Sequence, residues 1–488
     1  MACPLMGLPD ELQLWIIEKL QESGRDGFNG LVNLSSTCSR YRTLLAPTVF
    51  HTITLKNTVR SAESVLAVAN KNSLAQYVKH LHFIGTLAQI DFIANPCGDL
   101  YGLLEDTKDA AWVSMVELDA KEVFPTVASN ILSDLRLFPQ LTMLTVSFDS
   151  DSWWGHPQSN SSMLTDLEHT DGSSQVEWVE QNVPYRALMS ATFVTITRNT
   201  NHSITMLHLN LIPILVGAFG STDWSEFLNP IQSCTVAIKG EFKARKIPRD
   251  ENCCLARTCD DCQGAQCAGA TTGYCYFISR LSQCFFEHLD SVTTLRIIAS
   301  VSGPIWYVSE ECGLGGNQLP KLRSLYVERV FVCHELGKFL ATRKDVLEEI
   351  TFQDCYGTVD FDYPNYPKGV GKCSWHCLLD YLSTANPTRL QSVEIRPLQE
   401  PLFLMAMESN LHWPDSGIEA IDLKVAQDLL ANDPHRVAFP YAWLEDWDGL
   451  LDITDYYESE AFVQGDDVMS YNRLLAIVKA NRATRLQV

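Results

Sequence analysis

The densest group of side chains able to do chemistry is Cys253, Cys254, Cys259, Cys262, Cys267 and Cys275. Cys259-Asp260-Asp261-Cys262 has the two-residue gap that lets both thiolates reach one tetrahedral zinc ion. Cys254 and Cys267 stand a few residues to either side and would complete four ligands. Zinc modules, however, usually separate two ligand pairs by a longer structured stretch. Asp260 and Asp261 also oppose thiolate formation before any metal arrives, which works against a redox-active pair as well. The expected reading is a thiol-rich loop with no cofactor. A structural zinc on Cys254, Cys259, Cys262 and Cys267 is the alternative. Cys373-Ser-Trp-His376-Cys377 also offers metal-ligand types, but a helix start with buried cysteines accounts for it.

The common enzyme signatures fail residue by residue. In Gly369-Val-Gly371-Lys372-Cys373, Tyr366 stands where a phosphate loop needs its first glycine, and Cys373 replaces Ser or Thr. Gly313-Leu-Gly315-Gly316 reaches Gln318 at the third glycine of a dinucleotide fingerprint. His334-Glu335-Leu-Gly-Lys338 has lysine where a second zinc histidine belongs. No Gly-x-Ser-x-Gly nucleophile elbow occurs. The expectation is a protein that is not an enzyme.

What would position these residues is a recurring pattern, apolar-x-x-apolar-x-apolar. It occurs at Val78-Leu81-Phe83, Leu141-Leu144-Val146, Ile204-Leu207-Leu209, Val292-Leu295-Ile297, Leu322-Leu325-Val327, Leu347-Ile350-Phe352, Leu390-Val393-Ile395 and Ile418-Ile421-Leu423. A turn followed by a short strand places the last two apolar residues on one inward face. Helical periodicity precedes many copies, at Ala128 to Phe138, Tyr276 to Leu289, His334 to Arg343 and Trp375 to Ala385. Alternation of helix and strand at roughly 25–30 residues suits an α/β solenoid. A doubly wound α/β domain would show the same alternation. Two insertions interrupt the array, at about 149–175, with Trp153-Trp154, and at about 239–273, with the cysteines. The solenoid is expected over 51–430 and an acidic segment over 431–488, where Tyr471 to Ala480 looks like a helix that caps the end.

The 488-residue chain is 46% apolar, enough for a substantial core. With 59 acidic against 37 basic residues its net charge is −22, which argues against general nucleic-acid or anionic-membrane binding. The first residues lack a basic, apolar leader, because Asp10 and Glu11 interrupt any apolar run. The sixteen cysteines are then simplest as reduced thiols of a cytoplasmic or nuclear protein.

Residues 1–50 are the most specific stretch. Leu8-Pro9 followed by Asp10-Glu11 opens a helix carrying Leu12, Ile16 and Leu20 at helical spacing, widened by Trp15 and Ile17. Gly24, Gly27 and Gly30 predict a break, leaving a loop from Glu22 to Gly30. Leu31, Leu34, Cys38, Tyr41 and Leu45 predict two further helices. Pro47 should stop them before a strand at His51 to Leu55.

That order resembles the F-box, a three-helix motif that docks on the Skp adaptor of cullin–RING ubiquitin ligases. The resemblance rests on Leu8-Pro9, Glu11-Leu12, Ile16, Leu20, Leu34, Cys38-Ser39-Arg40 and Ala46-Pro47, about a tenth of the chain. The repeat body resembles the irregular leucine-rich repeats of many F-box proteins, fungal ones especially. Its asparagine-ladder position is mostly missing, and Cys355 is the best match to it. The resemblance implies an α/β protein with a short F-box followed by a leucine-rich-repeat-like solenoid. It implies a non-catalytic substrate receptor of a Skp–cullin–F-box ligase, with Leu8, Pro9, Leu12, Ile16, Leu20, Leu34 and Cys38 at the adaptor interface. Its partners would be a Skp-type adaptor, the cullin core and a target protein. A leucine-rich-repeat scaffold outside any ligase is the alternative. A zinc or thiol enzyme built on the cysteine insertion is the third reading.

Overall fold

The computed structural model describes residues 8–86, 124–148, 184–199, 201–213, 215–239, 277–300, 305, 313–358, 373–397, 425, 428–429, 431–433, 436–444, 451–453 and 461–486. Nine strands lie in one sheet in chain order: β1 (Thr52–Lys56), β2 (His80–Gly85), β3 (Met143–Phe148), β4 (Met206–Leu211), β5 (Ser233–Ile238), β6 (Thr294–Ala299), β7 (Ser324–Glu328), β8 (Glu349–Gln353) and β9 (Ser392–Arg396). The β1–β2 ladder and those from β5 to β9 run parallel. The order never reverses, as it must in a doubly wound sheet.

Each repeated motif on the described residues became a strand that begins two residues after its first apolar position. The copy at Ile418-Ile421-Leu423 lies outside the described residues. The reason is register. Leu295 faces Cys234 on one side and Leu325 on the other, and Val327 faces Ile297 and Phe352. These side chains are buried, each contributing about 1.5–3 kcal/mol for a full-sized apolar group. Strands β1 and β5 carry the same spacing in Phe50-Ile53-Leu55 and Ile231-Cys234-Val236, two copies beyond the eight named above.

The chain divides into two compact units, residues 1–147 with 187–207 and residues 148–186 with 208–488. The first unit holds α1 (Asp10–Glu22), α2 (Gly24–Thr37), α3 (Ser39–Val49), α4 (Val59–Ala69), α5 (Asn72–Ala75), α6 (Thr126–Ser133) and most of α7 (Pro184–Ile196). Thr58 caps α4 by accepting from the Ser61 N–H. The expected helix Ala128 to Phe138 is shorter, ending at Ser133 before a 3-10 turn at Leu135–Leu137. Asn199 accepts the Leu135 N–H at 2.8 Å and donates to Leu132 O at 2.7 Å, which satisfies that broken end.

The second unit holds α8 (Thr222–Leu228), α9 (Leu281–Cys284), α10 (His334–Thr342), α11 (Trp375–Ala385), the antiparallel pair β10 (Ala442–Leu444) and β11 (Leu451–Ile453), and α12 (Asp466–Arg485). The expected helix Tyr276 to Leu289 contains α9 and a 3-10 turn at Phe286–His288. Neighbouring helices pack in chain order, α10 on α11 and α11 on α12. The expected final helix is longer than Tyr471 to Ala480, and it closes the last strand. Tyr471 OH donates to Val393 O at 3.3 Å, and Asn481 Nδ2 donates to Leu390 O at 3.0 Å. Cys355 is buried, and its thiol donates to Val327 O of the adjacent strand at 3.5 Å. Among the described residues no helix is long and apolar enough to cross a membrane.

Two expectations about residues 1–50 are corrected. Gly27 and Gly30 do not break a helix but lie inside α2, so no loop spans Glu22 to Gly30. Glycine serves close approach instead: a Cβ on Gly27 would stand 1.7 Å from Leu20 O of α1. Pro47 does not end α3, which runs on to Val49. In the last turn a proline removes one hydrogen bond without stopping the chain.

Candidate docking site

Helices α1–α3 fold around a small core of Ile17, Leu31, Leu34, Tyr41 and Leu45, with Leu20, Cys38 and Val49 packed against it. Pro9 precedes α1, and its carbonyl accepts the Leu12 and Gln13 N–H groups at 3.1 and 3.2 Å. Gln13 is buried, and its Nε2 donates to Leu8 O at 2.7 Å. This pins the Leu8-Pro9 entry onto the helix.

The core does not use all the apolar side chains. Leu12 is 47% exposed, Trp15 55% and Phe28 42%, and Leu14, Val32 and Leu44 also face water. Leu12 and Trp15 share a face of α1 by their three-residue step, and Phe28 and Val32 share a face of α2 by their four-residue step. Two apolar pairs, one on α1 and one on α2, are thus left facing water among the described residues.

The structure divides the residues expected at the adaptor. Leu8 and Ile16 are half-buried, and Pro9 and Leu12 are exposed, so these four border water. Leu34, only 8% exposed, belongs to the core, and Leu20 and Cys38 pack on that core. Their local role is to hold the helices together. Sequence reasoning missed Trp15 as a surface residue and missed Phe28 and Val32 altogether. The step from Leu12 to Trp15 is the signal for the first. The flanking glycines masked the second pair.

A second surface is the polar side of the sheet. In the first unit Thr54, Lys56, His80, His82 and Ser147 alternate with the buried positions. In the second unit Arg296 lies over the Tyr326 ring at 4.3 Å, and Tyr326 OH donates to Glu328 at 2.8 Å. Burial holds His208 below the usual imidazole range, and Arg296 adds to the effect.

Cys254, Cys259, Cys262 and Cys267 lie outside the described residues. Among the described residues no group of three or more His, Cys, Asp or Glu is arranged to hold a metal ion. The Cys373 to Cys377 stretch is a helix start. Ser374 caps α11 by accepting the Cys377 N–H at 3.4 Å, and Cys373 is buried. The His376 main-chain N–H donates to Asp467 Oδ1 at 2.7 Å. Burial pushes the thiols of Cys234, Cys284 and Cys355 up to about 12. Brief iodoacetamide treatment of the folded protein near pH 7.5 should therefore leave Cys234 and Cys355 unlabelled. The half-exposed Cys38 and Cys377 should label. Peptide mass spectrometry reads the difference, and equal labelling with and without denaturant would contradict it.

No family model, no curated protein and no solved structure matches this chain.

Proposed function

We propose that this chain is a target-recognition subunit of a Skp–cullin–F-box ubiquitin ligase. The single observation that carries the reading is the water-facing apolar face of α1, where Leu12 and Trp15 stand beside the Leu8-Pro9 entry. An adaptor covers that face, while Leu20, Leu34 and Cys38 hold the helices that present it. The sheet, with strands in chain order and one apolar motif per strand, supports a leucine-rich-repeat-like solenoid that holds a target protein. The chain acts by proximity, bringing the target to chemistry performed by other subunits, and needs no cofactor. Its place is the cytoplasm, the nucleus or both.

The test is capture of the adaptor by tagged chain from cells. Wild type should retain a Skp-type adaptor and a cullin. Leu12→Asp with Trp15→Asp should lose about tenfold or more of both, because two charges replace buried contacts. Leu8→Ala with Pro9→Ala should lose the adaptor too. Unchanged capture by both double variants, with unchanged melting temperature, sinks the reading. Adaptor without cullin would favour a scaffold outside the ligase.

A further inference from the structure

Helices α10, α11 and α12 of the second unit run side by side and end together. The Thr388 N–H, just past α11, donates at 3.0 Å to Lys344 O, just past α10. α12 starts against α11 through the His376 N–H on Asp467. It ends beside the exit of α11, where Asn481 Nδ2 donates to Pro387 O at 2.7 Å. These three ends present Lys344, Arg389, Lys479, Arg482 and Arg485, all exposed. From Val468 to Val488 the chain holds no Asp or Glu, although it has 59 acids and a net charge of −22.

Elsewhere in this unit cations have carboxylates. Arg323 stands by Glu348, Arg329 by Glu328, Lys338 by Glu335 and Arg473 by Asp380. Among the described residues the side chains of Lys344, Arg389, Lys479 and Arg485 have no such partner, and that of Arg482 donates to a carbonyl, Gln391 O. Lys479, Arg482 and Arg485 follow at three-residue steps, so like charges neighbour each other along one side of α12 and weaken the helix. Helix dipoles account for part of this row. Three C-terminal ends together carry roughly −1.5 elementary charges. Asp345 and Glu349, which follow α10, are bonded to the hydroxyls of Thr388 and Ser324 and add two acids. Five cations exceed both contributions, so the surplus at this end is positive.

We propose that the joined ends of α10–α12 dock an acidic polypeptide segment of a partner protein, whose carboxylates meet Arg389, Arg482 and Arg485. The planar guanidinium takes a carboxylate through two parallel hydrogen bonds. Neighbouring helix axes lie about 8–10 Å apart, so the three ends span about 20 Å. An extended segment sets alternate side chains about 7 Å apart on one side, and about three carboxylates cross that span. The negative remainder of the molecule repels a phosphate polymer or an anionic bilayer more strongly than a short segment confined to this end. The patch belongs to the second unit, uses no residue of α1–α3 and does not depend on the ligase reading.

The experiment uses full-length chain and a fluorescein-labelled Glu-Ser repeat peptide, followed by anisotropy, with a Gln-Ser repeat of equal length as control. The Glu peptide should bind about tenfold or more tighter than the Gln peptide and weaken with salt. Lys479→Gln with Arg485→Gln should lower its affinity about tenfold at unchanged melting temperature, since neither side chain holds the fold. Arg60→Gln with Lys71→Gln removes the same charge from exposed positions of the first unit and should leave the affinity unchanged. Equal binding of both peptides, or equal loss in the two double variants, overturns the proposal. So does tighter binding to phosphatidylserine vesicles or to a single-stranded oligonucleotide than to the peptide. Sedimentation that shows a dimer in wild type and a monomer in Lys479→Gln with Arg485→Gln also overturns it, because the occupant is then a second copy of the chain.

Discussion

Gly27→Ala is expected to separate the first helix from the second. A Cβ there would stand 1.7 Å from Leu20 O, 2.8 Å from Leu20 C and 2.9 Å from Ser23 Cβ. The nearest two are backbone atoms of α1, which cannot turn aside as a side chain can. The helix must move, and Ile17 leaves its contact with Leu31 and Leu34. Ordinary overpacking costs about 1–3 kcal/mol, and a clash with rigid backbone belongs at or above the top of that range. A small helical unit has little stability to lose. Hydrogen exchange should show loss of protection in α1 and α2, with protection of β7–β9 in the other unit unchanged. Adaptor capture should fall with it. Gly24→Ala is the control. Gly24 has φ +65 but open space around it, so its cost is a strained backbone of about 1 kcal/mol. Equal protection in Gly27→Ala and wild type would show that the close approach does not carry the unit.

The sheet was legible because its signal repeats. Three apolar residues at fixed spacing, seen again and again, need no knowledge of the rest of the chain. Each copy on the described residues lies on a strand at the same offset. β5 escaped because its copy places Cys234 at the central position, where cysteine acts as a small buried hydrophobe. The glycines of α2 were misread because local sequence cannot separate a break from a close approach. Both call for glycine, and only the position of α1 decides. The same limit applies to Leu12 and Leu34. Each fits an apolar helical stripe, yet one faces water and the other the core. Which side of a stripe is covered depends on the elements packed there. The cluster around Asp467 had no local signature at all, since His376, Tyr441 and Asp467 meet from distant parts of the chain.

That cluster sets the second large effect, a loss of stability in the second unit as pH rises from about 4 to 7. Asp467 sits in the first turn of α12 with its side chain 4% exposed. Tyr441 OH donates to its Oδ2 at 2.8 Å, and the His376 N–H, in the first turn of α11, donates to its Oδ1 at 2.7 Å. Two helix N-termini and a phenol thus favour the charge. Burial outweighs them and raises the carboxyl from 3.8 to about 6, with a small further push from Asp466. A folded value above the unfolded one means that the proton stabilises the fold. That contribution is complete below 3.8 and disappears as pH passes 6. Its full size is roughly 3 kcal/mol. Asp380 and Arg473 form their own pair nearby at 3.0 Å, so they do not substitute for the proton. Asp467→Asn keeps an oxygen for the His376 N–H and carries no charge. It should flatten the pH slope between 4 and 7 and protect α12 from exchange at pH 7.5. Tyr441→Phe should instead cost about 1–3 kcal/mol, because a buried carboxylate oxygen loses its donor. Denaturant titrations across the window separate the two. Parallel pH profiles for wild type and Asp467→Asn would mean that another group binds the proton.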